Sequence, residues 1–511
     1  MSWSDGYNNE NDYTLTYCTD ISPLRIAYSL LINGSKPPEI AHACELGFGQ
    51  GLSINFHATD TDVSWTGNDF IPSHVTFASE MKNVAGTEIN ISDNSFRDML
   101  DCKFDHKFDY ICLHGIWSWI SDENRSYIKK FIEHNINDNG IVYISYNTKP
   151  GWAGMMPVRD LLTNYIRTNL PRGSSVAQKT SQAIKFAEKL KTTKPLYLAV
   201  NSSVGKRIEK LSEGDLSYIA HEYFNADWET FYFSEVDAAL EGCKLRYAAS
   251  TDFMCGLDDI NITKEQQKLI SGLHGMPLRQ DLRDICLNQS FRKDVWQKGG
   301  RRLSPQERTS EIGKLFVVLR TPIREYDLKI NGNLGEGVLQ ASVYEPILDT
   351  LKIAKVDTIG NLIASVSERV EPAQAMEAIH ILIAKGDLLL AHDPGKWDEL
   401  SGYGRKINEL IYTKILNGYP CGFLYSAVTG GGLQVNLLQQ IFVGTYNLDP
   451  AVDSVRLAKQ CLEILKKLGK NISDKGVALE SNDAELSTLT TKAEEFLENE
   501  VPYFKFLRFV N

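Results

Sequence analysis

Over roughly the first 150 residues, short apolar runs alternate with amphipathic stretches. Residues 40–46 are apolar except for His42 and Glu45, and they run into a tight glycine loop, Gly47-Phe48-Gly49-Gln50-Gly51. A second short run, 65–68, ends in Asp69, and an amphipathic helix is expected near 73–84. Further strands are expected at 88–91, 108–113 and 141–146, with a helix at 124–136 stopped by Asn137-Asp138-Asn139-Gly140. The run FDYICL at 108–113 is apolar almost throughout, as a strand buried on both faces requires. Strand, helix and strand repeated in this order predict an α/β fold built on a parallel, doubly wound sheet.

Ligands of such sheets lie at the carboxyl ends of the strands. Those ends carry Glu45 and the glycine loop, Asp69 and Phe70, then Ser95 and Phe96, His114 to Trp119, and Tyr146 to Trp152. Upstream, Ser22-Pro23 marks a helix start. Residues 153–225 read as helical and irregular, and strand-like patterning resumes at 231–233 and 245–249 around a short helix, 234–240. The stretch 153–225 is therefore an insertion, expected to cover the cleft or to mediate homodimer formation. Residues 260–320 read as mixed helical. Helices at 346–353, 359–366 and 373–385 followed by a strand at 388–391 are the order of a winged helix, and two amphipathic helices follow residue 450.

Composition narrows the function. A chain of 511 residues is too long for one core. Its division is expected at 1–152 with 226–255 (sheet domain), 153–225 (insertion), 256–330 (middle) and 331–511 (C-terminal). A net charge of −11 argues against a nucleic-acid partner. The basic group Arg292, Lys293, Lys298, Arg301 and Arg302 reads as a solvated loop or a contact for an acidic partner. The polar, acidic N-terminus is no signal peptide and no run is long enough for membrane insertion. Nine scattered cysteines without a CxxC pair indicate reduced thiols and a cytoplasmic location, with no metal site. Gly430-Gly431-Gly432 lacks the Lys-Ser/Thr of a phosphate loop and reads as a turn.

The loop spacing points to the cofactor. A dinucleotide fingerprint is G-x-G-x-x-G, whereas here the third glycine comes one residue early and Glu45 stands two before the first. E-L-G-x-G-x-G resembles motif I of class I S-adenosylmethionine (SAM)-dependent methyltransferases. That resemblance implies SAM as cofactor, Glu45 facing its amino-acid end and Asp69 holding its ribose. We expect SAM to touch Tyr17, Glu45, Gly47, Gly49, Gly51, Asp69, Phe70, Ser95, Phe96, His114 and Gly115. His114 is read either as a general base or as a hydrogen-bonded pocket residue. Tyr146, Trp117 and Asn147 are expected to orient the methyl acceptor, and Trp119 and Trp152 stand beside them.

Trp3-Ser4-Asp5-Gly6-Tyr7, ACELGFGQG, HGIWSWIS, SYNTKPGW and HEYFNADWETFYF together resemble one bacterial family. It is the class I methyltransferases carrying a methyltransferase regulatory domain, among them the rickettsial outer-membrane-protein lysine methyltransferases. Phe48 and Asn68 depart from the smaller loop residue and the usual neighbour of the ribose acid. The resemblance implies a Rossmann-like sheet and a protein-lysine N-methyltransferase acting on a protein substrate. A small-molecule methyltransferase would instead need only a pocket roofed by 153–225. A SAM-binding scaffold without turnover would turn Tyr146 and Trp117 away from the sulfur. The sheet domain is expected to fold and bind SAM without the residues beyond 310.

Overall fold

The computed structural model describes residues 15–510 apart from 172, 322–325, 471, 475–476 and 479–480; the motif from Trp3 to Tyr7 lies outside the described residues. Seven strands form the central sheet: β1 His42–Leu46, β2 Ser64–Asn68, β3 Ile89–Ser92, β4 Phe108–Leu113, β5 Ile136–Asn147, β6 Leu245–Ser250 and β7 Phe291–Lys298. Their order is β3-β2-β1-β4-β5-β7-β6, parallel except for β7, which is antiparallel to both neighbours. Helices α1 Pro23–Ile32, α2 Leu52–His57, α3 Pro72–Ala85, α4 Phe96–Asp101 and α5 Asp122–Asn135 belong to the first half. Proline opens α1 and α3, where its missing N–H is no loss, and left-handed Gly86 ends α3.

Several expectations change here. The polar tetrad 137–140 does not precede β5 but lies within it, because buried Ile136 already pairs with Phe108 and the register shifts before Tyr110 meets Ile141. Of the strands expected at 231–233 and 245–249, only the second forms, as β6. Phe231 makes only an isolated bridge to Thr148, and the sheet closes at β7, inside the stretch read as mixed helical. β7 escapes pattern reading because its sequence, FRKDVWQK, is half charged. Those charges find partners elsewhere in the chain. Arg292 hydrogen-bonds Asp284 and Asp294, and Tyr146 Oη donates to Asp294 at 2.8 Å. Lys293 pairs with Asp20 at 2.9 Å, Lys298 with Asp138 at 3.1 Å and Arg301 with Glu307 at 2.9 Å, while Arg302 donates to the Asn33 carbonyl. Arg292, Lys293 and Lys298 therefore belong to the sheet and are ion-paired in the chain, while Arg301 and Arg302 stand exposed in the loop beyond it.

The insertion folds as helices Met156–Asn169, Val176–Thr192, Leu196–Val200, Ser202–Glu213 and Leu216–Tyr223 around a small core of their own. In the C-terminal half, helices Ala341–Ala354, Ile359–Val366 and Pro372–Lys385 pack with a three-stranded antiparallel sheet of 356–358, 316–319 and 388–391. That core includes Tyr28 and Leu31 of α1. The last body is built on helix Trp397–Leu416 and the hairpin Phe423–Ser426/Gly431–Gln434, and its core takes in Tyr17, Leu52, Phe56 and Met81. The glycine run is thus more than a turn. Gly431 and Gly432 lie in a strand against Tyr17 and Phe56, where a Cβ on Gly432 would stand 2.6 Å from Tyr17 Cγ and 2.9 Å from Phe56 Cε2.

Gly432→Ala is expected to destabilise the chain by about 1–3 kcal/mol through overpacking, read as a lower urea midpoint; an unchanged midpoint contradicts the close approach. A chain ending at residue 310 loses the cover over Tyr17, Leu52, Phe56 and Met81. Contrary to the sequence expectation, it should aggregate or fail to hold SAM. A monodisperse, SAM-binding truncation by size exclusion and calorimetry contradicts this.

Candidate functional site

A cavity of about 860 Å³ opens at the carboxyl ends of β1, β2, β4 and β5. The loop after β1 turns through three left-handed glycines, Gly47 (φ 71°), Gly49 (φ 60°) and Gly51 (φ 76°), a region costly for other residues. Their roles differ. A Cβ on Gly47 would strike Ile116 Cδ1 at 2.4 Å and one on Gly51 would strike Ala78 Cβ at 2.5 Å, whereas Gly49 has nothing within 4 Å. Gly49 and Gly47 line the cavity, and Gly51 packs α2 onto α3 instead.

Asp69 ties the loop to β2. Its Oδ2 accepts from Gly49 N at 2.8 Å, and its Oδ1 accepts from Ile71 N and contacts His74 Nδ1, both at 3.1 Å. Glu45 is 5% exposed, and its Oε2 has no hydrogen-bond partner among the described residues. Burial, and then the nearby Asp69 charge, push its carboxyl up to about 8. At the end of β4, His114 Nδ1 lies 2.8 Å from Tyr143 Oη, and burial lowers its imidazole to about 4. It is therefore neutral near pH 7 and a weak base, which favours the pocket-residue reading over the general base. Gly115 (φ 68°) donates its N–H to Ser145 Oγ at 2.8 Å and leaves open space where a Cβ would stand.

Among the expected site residues, Tyr17, Glu45, Gly47, Gly49, Asp69, His114, Gly115 and Asn147 line the cavity. Phe70, Ser95 and Phe96 do not; Ser95 caps α4 through a box with Asp98. Tyr146 and Trp117 do not either. Both are buried in the core on the far side, Tyr146 hydrogen-bonded to Asp294 and Trp117 beside Phe231. Trp117 to Trp119 form one 3₁₀ turn, not a strand. At three residues per turn, positions i and i+2 part, so Trp119 reaches the cavity next to Phe291 while Trp117 does not.

Sequence reasoning missed several walls. Asp20 lies between Lys293 (2.9 Å) and Arg25 (3.3 Å); burial opposes its charge, but the two cations outweigh it and hold the carboxyl low. Helices 202–213 and 216–223 contribute Arg207, Tyr218, His221 and Glu222, the loop after them Asn225, and the C-terminal half Arg320, Leu390, Phe423 and Gly432. The HEYFN motif contains three of these, and nothing in the local pattern marked the C-terminal ones.

A family model described as "Predicted methyltransferase regulatory domain" matches residues 215–298, the stretch that supplies β6 and β7. The uncharacterised protein sll1526 of Synechocystis sp. is 32% identical over 508 residues, 98% of each chain. Rickettsia prowazekii protein RP789 is 24% identical over 63% of this chain and 60% of its own. Among solved structures, PKMT2 from Rickettsia typhi in complex with AdoHcy superposes with a TM-score of 0.69 at 16% identity, over 95% of this chain and 98% of that one. With a relative matched from end to end, the regulatory-domain model matched and the sheet in methyltransferase order, the chain belongs to the class I SAM-dependent methyltransferases that carry this regulatory domain.

Proposed function

We propose that this protein binds SAM at the β1 loop and methylates the side-chain amine of lysine in a protein substrate. The unpartnered Glu45 oxygen on the cavity wall carries the cofactor half of this reading. It suits the α-ammonium of SAM, while Asp69 stands ready for the ribose and bare backbone at Gly49 and Gly115 leaves room for the ligand. When bound, SAM supplies an electrophilic methyl group; the protein's part is to place an acceptor in line with it and keep water out.

The acceptor side is polar and aromatic. Asn147 presents an amide nitrogen without a partner among the described residues, and Trp119 and Phe291 stand near it. The inward-turned Tyr146 and Trp117 are what a SAM-binding scaffold predicts, yet Asn147, Trp119 and Phe291 occupy the place intended for them, which supports turnover. A small-molecule acceptor needs no C-terminal wall. The presence of Arg320, Leu390 and Gly432 in the cavity, together with the fold shared with a protein named PKMT2, supports a macromolecular acceptor. The insertion lines the cavity as a cover would.

Asp69→Ala is expected to weaken SAM binding by about 1–3 kcal/mol; unchanged affinity by calorimetry means another group holds the ribose. Glu45 gives a pH prediction. Its carboxyl, raised to about 8, is mostly protonated in the free protein at neutral pH, and a bound ammonium favours the carboxylate. SAM binding should therefore release a proton and tighten as pH rises from about 6 toward 8. Calorimetry in two buffers of different ionisation heat counts that proton, and Glu45→Gln should abolish it. Radiolabelled methyl transfer to cell extract, with methyl-lysine recovered after protein hydrolysis, tests the acceptor; label confined to small molecules rejects the lysine reading.

A further inference from the structure

The helical insertion brings an acid, Glu222, to the cavity wall, with Arg207 near it but not ion-paired to it. From Asn147 at the end of β5 the chain passes to Trp152, whose indole Nε1 donates to the Ser290 carbonyl at 3.1 Å. Arg207 lies flat over that indole, its Cζ 3.6 Å from the ring centroid, and donates to Tyr223 Oη at 3.1 Å and to the Gly151 carbonyl at 3.4 Å. The guanidinium is thus held by the tryptophan, a phenol and the main chain. Glu222, next to Tyr223 on the helix Leu216–Tyr223, lines the same cavity and is partly buried, and among the described residues it takes part in no ion pair. Stacked under Arg207, the Trp152 face is also closed to a substrate cation, which leaves the carboxylate as the feature of this wall that favours positive charge.

We propose that Glu222 receives a cationic amine acceptor, pairing with its ammonium group and taking its proton before methyl transfer. This rests on the reading of the protein as an amine methyltransferase. One N–H bond of the ammonium breaks and an O–H bond forms on Glu222. The freed lone pair then makes the N–CH₃ bond as the donor's S–CH₃ bond breaks, its electron pair remaining on sulfur. Being only partly buried, Glu222 returns the proton to water.

The carboxyl is suited to both acts. Burial pushes it up to about 7, Arg207 opposing in part. The groups facing it are Arg207 from the neighbouring helix and Tyr218 and Tyr223 on its own. Its charged form grows as pH rises through 7, so ammonium capture strengthens over that interval.

The test uses the full chain without cofactor. Binding of a blocked tripeptide, acetyl-Ala-Lys-Ala-amide, and of its norleucine counterpart is followed by calorimetry. Wild type should prefer the lysine peptide by about tenfold or more, and the preference should grow about tenfold between about pH 6 and about pH 8. Glu222→Gln should abolish both preference and slope, Glu222→Asp should restore part of each, and thermal melts should show both variants folded. No preference in wild type, or a preference that survives in folded Glu222→Gln, overturns the proposal. If the preference fails while radiolabel still reaches protein lysine, the role of Glu222 falls and the lysine reading stands. If the preference holds but label reaches only small amines, the lysine reading falls and Glu222 keeps its role.

Discussion

Two glycines of one strand pressed against an aromatic ring set the geometry around the cavity. Gly431 and Gly432 let the C-terminal hairpin come so close to Tyr17 and Phe56 that no Cβ fits between. Tyr17 in turn stacks near Phe56 and Phe423 and shares a hydrogen bond with His57. Through this contact a body more than 400 residues down the chain becomes a wall of the cofactor cavity. Salt bridges from Lys396 to Asp60 and Asp62 and from Lys414 to Glu80 lie at the edge of the same interface. Such exposed pairs fix register more than they add stability.

β1, β2, β4 and the 141–146 part of β5 were legible because each is a run buried on both faces and bounded by turns, whereas β3 at the sheet edge is buried only at Ile89. The glycine loop and Asp69 were legible because backbone freedom and an acid at a strand end leave a spacing of their own. β7 was hidden for the opposite reason. Arg292, Lys293 and Lys298 are charges a sequence reader assigns to water, but Asp284, Asp294, Asp20 and Asp138 meet them within the fold. Such compensation is a tertiary property and leaves no local periodicity. The C-terminal cavity walls were hidden likewise: the helix at 372–385 is plain in the pattern, but which surface it offers depends on docking.

At the end of β5 the direction of the side chains was not legible. Tyr146 and Asn147 are neighbours on β5, so only one can face the cavity, and it is the amide. Trp117 and Trp119 look like an alternating pair until a single 3₁₀ turn separates them. The matched regulatory-domain stretch also takes on a structural meaning here. By supplying β6 and β7 it completes the catalytic sheet as well as any control it exerts.

That strand order has a consequence for how the chain is made. β7 lies between β5 and β6, yet it is the last of the seven to be synthesised. On the ribosome, at roughly 5–20 residues per second, the edge of β5 stays open for on the order of ten seconds while the helical insertion and β6 emerge. A hydrophobic strand edge exposed for so long is a site for misplaced pairing. Here the insertion, with a core of its own, separates β5 from β6 during that interval. The insertion thereby acts as a spacer in time as well as a cover in space.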